Sequence, residues 1–166
     1  MADVGRSKNY PDVLKGITMA TVRGCHLPED LFYNIEKHVW AKPLGDDIVR
    51  IGMTAVAAKL SGGKLAAITV KTKSIGLEVK QGKSVATLES SKFVGPVPAP
   101  ITGILERANE KLAGDPNIAV SDPYGDGWIA ELKASNWEGE KGILVTGAEG
   151  LAKYAAKLEA DGISCQ

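Results

Sequence analysis

Two short segments decide the fold: Val85-Ala86-Thr87-Leu88-Glu89-Ser90-Ser91-Lys92-Phe93 and Pro98-Ala99-Pro100-Ile101-Thr102-Gly103-Ile104. The first segment reads as a strand that ends in an acidic residue, with Lys92 three positions later. Residues 94–100 contain three prolines, which suit an exposed edge strand better than a central one. The pattern is therefore a strand, a short connection that carries Lys92, and a return strand.

Further short β-like runs, separated by turn residues, lie on both sides of this stretch. We predict strands at residues 38–41, 47–51, 65–71, 75–79, 84–89, 101–108 and 128–133. Residues 75–79 and 84–89 are expected to pair as a hairpin around a turn at 80–83. Short strands at this spacing indicate a β-sandwich or a flattened barrel.

Short helices are predicted at two places in the first half of the chain. Residues 54–60 are rich in alanine, and Ser61-Gly62-Gly63 after them provides a helix end. Residues 27–33 combine a proline with two acidic residues, which suits the start of a short helical turn.

A longer amphipathic helix is predicted near the C-terminus, over residues 147–161. Leu151, Tyr154, Ala155 and Leu158 recur at helical spacing, and Gly162 stands where a C-cap is expected. The fold class is therefore mainly β, with short helices and a C-terminal helix. We expect three parts: an N-terminal extension (1–30), a central β domain (31–137) and a C-terminal helical extension (138–166).

Charge and hydropathy exclude several classes of partner. Lysine plus arginine equals aspartate plus glutamate at 20 each, so the formal net charge is zero. Such a chain has no long-range attraction for nucleic acid or an anionic membrane. No segment approaches the roughly 20 apolar residues of a membrane span, and the N-terminus lacks the apolar run of a signal peptide. We expect no nucleic-acid or membrane partner and a cytoplasmic location.

The sequence contains no familiar catalytic or metal-binding arrangement. HExxH, CxxC, GxSxG and phosphate-binding glycine motifs are all absent. The two cysteines, Cys25 and Cys165, are too few for a disulfide framework, and no metal site is predicted. These absences argue against a self-contained enzyme.

Five segments, in order, carry a family resemblance. Residues 33–40 fit Y-x-x-x-x-H-x-W, residues 52–55 resemble G-I-T-x-x-A, and Glu89-Ser90-Ser91-Lys92 resembles E-S-V-K. Residues 109–112 and 122–128 resemble N-x-x-L and D-P-Y-G-x-G-W. Each motif alone is weak, but the ordered set is specific. The sequence resembles the glycine-cleavage H proteins, which are lipoyl carriers.

This resemblance implies a fold and a cofactor. Lipoyl and biotinyl carriers share a flattened barrel-sandwich hybrid fold and place the modified lysine at the tip of a tight β-hairpin. By resemblance, a lipoate-attaching enzyme joins lipoate to Lys92 as an amide, giving an arm with a reach of roughly 14 Å. Biotin is disfavoured, because biotin carriers usually have methionine on both sides of the lysine and this chain has Ser91 and Phe93.

Three further residues are assigned to the lipoyl arm by the same resemblance. Glu89 and Ser90 belong to the lysine motif, and His38 and Glu89 are expected near the position where the arm rests against the body. His38 has an alternative reading as a structural histidine beside Trp40, because a single histidine near an aromatic residue is ordinary.

Both ends of the chain depart from the glycine-cleavage pattern. Some thirty residues precede Tyr33, and Ser91 replaces the usual valine before Lys92. A cysteine-bearing start of this kind is similar to the H-like lipoate-binding proteins that serve a heterodisulfide-reductase-like complex in sulfur oxidation. That similarity makes Cys25 a candidate redox thiol; the alternative is a partly buried thiol without a role. Cys165 lies near the terminus, and we expect no role for it.

Three functions follow from these observations. The main hypothesis is a lipoyl carrier of sulfur intermediates in cytoplasmic sulfur oxidation. The alternative is the glycine-cleavage carrier, which shuttles an aminomethyl group among a decarboxylase, an aminomethyltransferase and dihydrolipoamide dehydrogenase. The third is a β-domain binding protein that carries no lipoate.

Overall fold

The computed structural model of the protein describes residues 4–6 and 19–166, with side chains from residue 21 onward. The fold is mainly β, as the sequence predicts. Its first strands form a small antiparallel sheet in the order β1-β2-β3, made of β1 (Val4–Arg6), β2 (Met19–Val22) and β3 (Cys25–Pro28).

This small sheet contains part of the predicted N-terminal extension. The rest of the predicted extension falls partly on residues 1–3 and 7–18, which lie outside the described residues. β2 and β3 are joined by a tight turn at Arg23 and Gly24, whose φ angles are 50° and 82°. The end of the extension is therefore a regular hairpin.

The helical turn predicted over residues 27–33 is wrong. The stretch instead contains the end of β3, a turn, and then β4 (Phe32–Asn34). Leu27 and Tyr33 are both buried, and the Tyr33 hydroxyl donates to the Pro28 carbonyl. A proline followed by acidic residues suits a turn as well as a helix start, and burial of the two flanking side chains selects the strands.

The largest sheet has seven strands in the order β13-β4-β5-β6-β12-β11-β8. Its members besides β4 are β5 (Val39–Gly45), β6 (Ile48–Met53), β8 (Glu78–Val79), β11 (Gly103–Ala108), β12 (Ala130–Ala134) and β13 (Val145–Thr146). Neighbouring strands of this sheet pair antiparallel throughout.

A three-stranded sheet carries the lysine segment. It consists of β7 (Ala67–Val70), β9 (Ser84–Glu89) and β10 (Val94–Pro98), in the order β10-β9-β7. β10 lies at an edge of this sheet, as its prolines predict. β10 therefore pairs only with β9, and β9 pairs with β7 along its other side.

The hairpin predicted between residues 75–79 and 84–89 is wrong. β8 pairs with β11 in the large sheet, whereas β9 pairs with β10 and β7 in the small one. The turn at Lys80–Lys83 thus carries the chain from one sheet to the other. Local turn signals cannot distinguish such a crossing from a hairpin, because both need the same tight reversal.

The alanine-rich helix is confirmed as α1 (Ala55–Leu60). Thr54 is its N-cap, with its hydroxyl accepting from the Ala57 N–H at 3.5 Å. Ser61-Gly62-Gly63 ends the helix as predicted, and Gly62 and Gly63 donate to the carbonyls of Lys59 and Ala58, each at 3.0 Å. Three shorter helices follow: α2 (Lys111–Gly114), α3 (Ile118–Ser121) and α4 (Trp137–Glu140).

The C-terminal helix is confirmed as α5 (Gly147–Asp161), with Gly162 as a left-handed C-cap at φ 66°. The predicted apolar face is buried and packs against a cluster that includes Val22, Leu27, Tyr33 and Trp40. A second, larger cluster fills the space enclosed by the seven-stranded and three-stranded sheets. β3 and α5 therefore pack into the same cluster. The domain divisions at residues 30 and 137 remain predictions.

Candidate functional site

Lys92 lies in the turn of the hairpin formed by β9 and β10. Val94 pairs with Glu89 across the hairpin, so the connection runs from Ser90 to Phe93. The Ser90 N–H donates to the Phe93 carbonyl at 2.8 Å and closes the turn. Lys92 is exposed, so the structure presents this lysine at the tip of a tight hairpin.

Ser90 fixes the backbone of the turn from inside. Its hydroxyl accepts from the N–H of Lys92 at 3.3 Å and from the N–H of Phe93 at 3.1 Å, and donates to the Phe93 carbonyl at 3.3 Å. The residue is only 8% exposed. Ser90 is therefore a residue that positions Lys92 rather than one that faces a ligand.

The Lys92 side chain runs across the turn that ends α1. A Cβ atom at Gly62 would lie 3.1 Å from Lys92 Cδ and 3.4 Å from Lys92 Cε. Gly62 also has a φ of +85°, which favours glycine. The lysine stem thus passes close to the backbone of the helix end, where a larger residue would obstruct it.

The ammonium of Lys92 has no salt bridge to any side chain described from residue 21 onward. Acylation would remove its charge without breaking an ion pair. Three apolar side chains near Lys92 are exposed. They are Leu60 at the end of α1 (46%), and Phe93 (47%) and Val94 (67%), which follow Lys92 in the chain. An uncharged, largely apolar arm on Lys92 would therefore find apolar surface nearby, so the residues present fit a lipoyl group.

Glu89 occupies the base of the hairpin, at the end of β9. Its backbone carbonyl accepts from the Ala66 N–H at 2.7 Å, and its side chain is exposed. It pairs across the sheet with Ala67 on one side and Val94 on the other. Glu89 is thus close to Lys92 in the same hairpin, and its expected role toward a resting arm stays a prediction.

His38 lies at the opposite end of α1 from Lys92. It is 8% exposed, and its Nδ1 forms a 2.7 Å hydrogen bond with the Tyr154 hydroxyl, on whose ring it stacks. The Tyr154 hydroxyl also lies 3.0 Å from Thr54 Oγ1, the N-cap of α1. This burial and bonding match the structural alternative for His38, with Tyr154 as its main aromatic neighbour; a role toward the arm stays a prediction.

The protonation states of this cluster follow from its burial. Burial lowers the pKa of His38 and raises the pKa of Tyr154. Both groups are therefore neutral near pH 7, which suits a hydrogen bond between an uncharged imidazole and a phenol. Tyr124 adds a further bond here, with its hydroxyl accepting from the Ala55 N–H at 2.9 Å.

Cys25 is bonded to Cys165, a pairing that the sequence analysis did not predict. Their Cα atoms lie 5.0 Å apart, across a sequence separation of 140. We had also allowed that Cys25 is a thiol without a role and expected no role for Cys165. Both expectations are corrected, since the disulfide joins β3 to the C-terminal tail. Cys25 does not present a free thiol in this structure. Any redox role of Cys25 therefore involves the disulfide with Cys165.

Comparison with known proteins now places the chain. The family model for the glycine cleavage H-protein matches residues 31–158. The chain belongs to the glycine cleavage H-protein family. Glycine cleavage system H protein 2 of Aquifex aeolicus is 44% identical over 143 residues, which are 86% of this chain and 87% of that protein. A probable glycine cleavage system H protein 2 of Sulfolobus acidocaldarius is 39% identical, over 89% of this chain and 98% of that protein.

A solved structure supports the same assignment. The crystal structure of a glycine cleavage system H protein from Mycobacterium marinum has a TM-score of 0.65 at 28% identity, covering 82% of this chain and all of that one. Proteins of this H-type family are carriers that hold a covalently attached lipoate on a lysine. In the described residues, no helix is long and apolar enough to cross a membrane.

Several residues of this region were not found from the sequence. Gly62 was predicted to end a helix, but its contact with Lys92 depends on how α1 packs against the hairpin. Tyr154 was predicted as part of an apolar face, with no sign that its hydroxyl would meet His38. The Cys25–Cys165 pairing joins residues too distant in the chain for any spacing rule to detect.

Proposed function

We propose that this chain is a lipoyl carrier in which Lys92 is the attachment residue. The observation that carries the proposal is an exposed lysine, with no ion-pair partner among the described side chains, on a hairpin turn held by Ser90. A lipoate-attaching enzyme has to select one amine among the sixteen lysines of the chain. A rigid turn provides that selection, because it fixes the direction from which the amine is approached.

The residues around Lys92 then have separate tasks. Ser90 holds the turn, Gly62 leaves room for the lysine stem, and Leu60, Phe93 and Val94 offer apolar surface to the arm. When bound, the lipoyl dithiolane supplies redox and group-carrying chemistry, while the protein supplies position and access. Glu89 and His38 remain candidates for contact with the resting arm.

For the cargo, the comparisons favour the alternative over the main hypothesis of the sequence analysis. The relatives are named as glycine cleavage system H proteins, and no comparison supports sulfur oxidation. We therefore propose that the arm shuttles an aminomethyl group. Its partners would be the glycine decarboxylase, the aminomethyltransferase and dihydrolipoamide dehydrogenase, together with the lipoate-attaching enzyme.

The sulfur-carrier hypothesis stays as a second candidate on one observation. Both cysteines lie outside residues 31–158, the stretch that the family model matches. The Aquifex aeolicus relatives carry the numbers 2, 3 and 5, so one organism has several H-type proteins among which cargo can differ. A heterodisulfide-reductase-like complex would be the partner in that case.

A carboxyl-exchange assay separates the two cargoes. Lipoylated protein is incubated with glycine, labelled bicarbonate and glycine decarboxylase, and the label entering the glycine carboxyl carbon is measured. The proposal predicts exchange that disappears in Lys92→Arg. A lipoylated glycine cleavage H protein, such as that of Mycobacterium marinum, serves as the positive control. No exchange by this chain in an assay where the control is active would contradict the glycine-cleavage proposal.

The remaining hypothesis, a β-domain protein without lipoate, is tested by mass alone. Intact mass of protein from cells with active lipoylation should exceed the sequence mass by one lipoyl group.

A cytoplasmic location is part of our proposal. Disulfides are uncommon in that compartment unless they are redox-active, which gives the Cys25–Cys165 pair a further interest.

A further inference from the structure

The Cys25–Cys165 disulfide lies at the N-terminal end of α1, the helix whose other end meets Lys92. The Cys165 Sγ lies 3.8 Å from the Ala55 carbonyl oxygen, in the first residue of the helix. At the other end, the Lys92 stem passes over Gly62. One short helix therefore separates the candidate attachment lysine from a disulfide.

The span between these two groups is comparable with the reach of a lipoyl arm. α1 has six residues, which correspond to roughly 9 Å along the helix axis. The arm extends roughly 14 Å from the Lys92 Cα. Part of that reach is used by the stem that passes over Gly62, and Gly62 lies seven residues after Ala55, roughly 10 Å along the axis. An arm laid along the helix in its fully extended form therefore points its dithiolane toward the Ala55 end, where Cys165 lies.

The surface along this path is open. Positions 55 and 59 follow one face of α1 at a spacing of four, and Gly62 lies in the turn beyond the end of the helix. Ala55 is partly exposed, and Lys59 and Gly62 are exposed. The small residues at the two ends and the flexible lysine between them leave a track for an extended chain.

The two sulfur atoms differ in access. Cys25 is fully buried, whereas Cys165 is partly exposed. Thiol–disulfide exchange needs access to only one of the two sulfurs, and Cys165 is the less buried residue of the pair.

Hydrogen bonds hold the two cysteines together independently of the disulfide. The Cys165 N–H donates to the Arg23 carbonyl at 2.9 Å, and the Ser164 hydroxyl donates to the same carbonyl at 3.1 Å. Arg23 Nε donates to the Ile163 carbonyl at 2.7 Å. Because these bonds contain no sulfur, the tail can stay in place after reduction, and the disulfide can form again.

We propose that the Cys25–Cys165 disulfide exchanges electrons with the reduced arm on Lys92 of the same chain. The two thiols of the arm give up two electrons and two protons and close to a disulfide. The bond between the two cysteine sulfurs breaks, and both cysteines become thiols. The carrier therefore holds two dithiol couples, one on the arm and one in the body. This inference rests on the proposed lipoylation of Lys92.

Thiol counting on the full lipoylated chain tests the exchange. Lipoylation is first verified by intact mass, and dihydrolipoamide dehydrogenase and excess NADH then reduce the arm. The chain is next unfolded in denaturant with excess N-ethylmaleimide, so that every thiol is labelled, including that of the buried Cys25. The expected result is four labels per chain, with two of them on Cys25 and Cys165. Lys92→Arg, which carries no arm, should acquire no label under the same conditions.

Each contrary result points to a different failure. Two labels confined to the arm, with the cysteine disulfide intact, would overturn the exchange and leave the proposed function standing. Equal labelling of Lys92→Arg would also overturn it, because the arm would not be the electron donor. A chain without the lipoyl mass would overturn the proposed function itself.

A mixing experiment tests whether exchange occurs within one chain. Isotopically labelled Lys92→Arg is mixed with unlabelled lipoylated protein, and the cysteine labels on each are compared at early times. Exchange within a chain predicts cysteine labels at least tenfold more frequent on the lipoylated protein than on the variant. Equal labelling of both would overturn the geometry argued from α1.

Discussion

The two ends of α1 are built in opposite ways. At its C-terminal end, Lys92 is exposed and has no ion-pair partner in the part of the chain whose side chains the structure describes, and its stem lies over a glycine turn. At its N-terminal end, His38, Thr54 and Tyr154 are buried and bonded to one another. The difference teaches that family resemblance alone does not separate a working residue from a supporting one. Burial and partners make that distinction.

This contrast makes a general prediction about mutations. Changes at the exposed end should alter lipoylation with little effect on stability, since few contacts are lost there. Changes at the buried end should lower stability with little effect on lipoylation. The predictions below run from the largest expected effect to the smallest.

Replacing Lys92 by arginine should abolish lipoylation while leaving the free energy of unfolding within about 0.5 kcal/mol of the wild type. Arginine keeps the charge and the stem but offers no amine that can be acylated. Intact mass and urea unfolding measure the two quantities. Lys83→Arg, in the turn between the sheets, is the matched control and should be lipoylated fully. Lipoyl mass on Lys92→Arg would refute the assignment.

Removing the disulfide should produce the largest loss of stability. The Cys25→Ser, Cys165→Ser double variant should lose about 2–4 kcal/mol of unfolding free energy, because the bond closes a loop of 140 residues. Denaturant unfolding of wild type with and without reductant gives the same comparison. If reductant leaves the wild-type midpoint unchanged, the disulfide does not stabilise the fold.

Tyr154→Phe should cost about 1–3 kcal/mol of stability. The change removes one hydroxyl and leaves His38 Nδ1 and Thr54 Oγ1 without their shared partner. Lipoylation measured on the still-folded variant should match the wild type. A variant that is stable but poorly lipoylated would break the contrast between the two ends of α1.

Ser90→Ala should slow lipoylation by about tenfold, corresponding to about 1.4 kcal/mol of lost positioning. The hydroxyl accepts from two backbone N–H groups of the turn, and alanine leaves them without this partner. Initial rates with a purified lipoate-attaching enzyme provide the measurement. Ser90→Thr retains a hydroxyl and should restore most of the rate; equal rates for all three proteins would contradict a positioning role.

The smallest predicted effect is on pH dependence. Because burial lowers the pKa of His38 in the folded protein, the unfolded chain takes up a proton first as the pH falls. Stability should be complete above the ordinary value of about 6.5 and decline as the pH falls below it. Unfolding midpoints between pH 7.5 and 5 should show this slope, and His38→Gln should reduce it. An unchanged slope in His38→Gln would assign the effect to other groups.

Much of the fold followed from local patterns, and long-range pairing did not. The prolines of residues 94–100 predicted an edge strand because proline has no N–H to donate to a second neighbouring strand. The spacing of Leu151, Tyr154 and Leu158 predicted α5 because it places these side chains on one buried face. The partner of β8 did not follow, since a tight turn is compatible with a hairpin or a crossing between sheets. The disulfide that joins the C-terminal tail to β3, between Cys165 and Cys25, also did not follow from the sequence.

The site shows the same division. Lys92 was identified from the residues next to it in the chain, and Ser90 was part of the same motif. The position of His38 against Tyr154, and that of Gly62 beneath Lys92, depend on the packing of α1 and α5. Side chains brought together by packing of distant elements leave no mark in the spacing of either one.

The central claim is that the amine of Lys92 is the one acylated, and peptide mapping tests it most directly. Wild-type protein from cells with active lipoylation is digested, and the peptides are identified by tandem mass spectrometry. The account predicts one lipoyl group per chain, on the peptide containing Lys92 and on that residue alone. A lipoyl group on any other lysine, or an unmodified Lys92 in cells that lipoylate their other carriers, would contradict it.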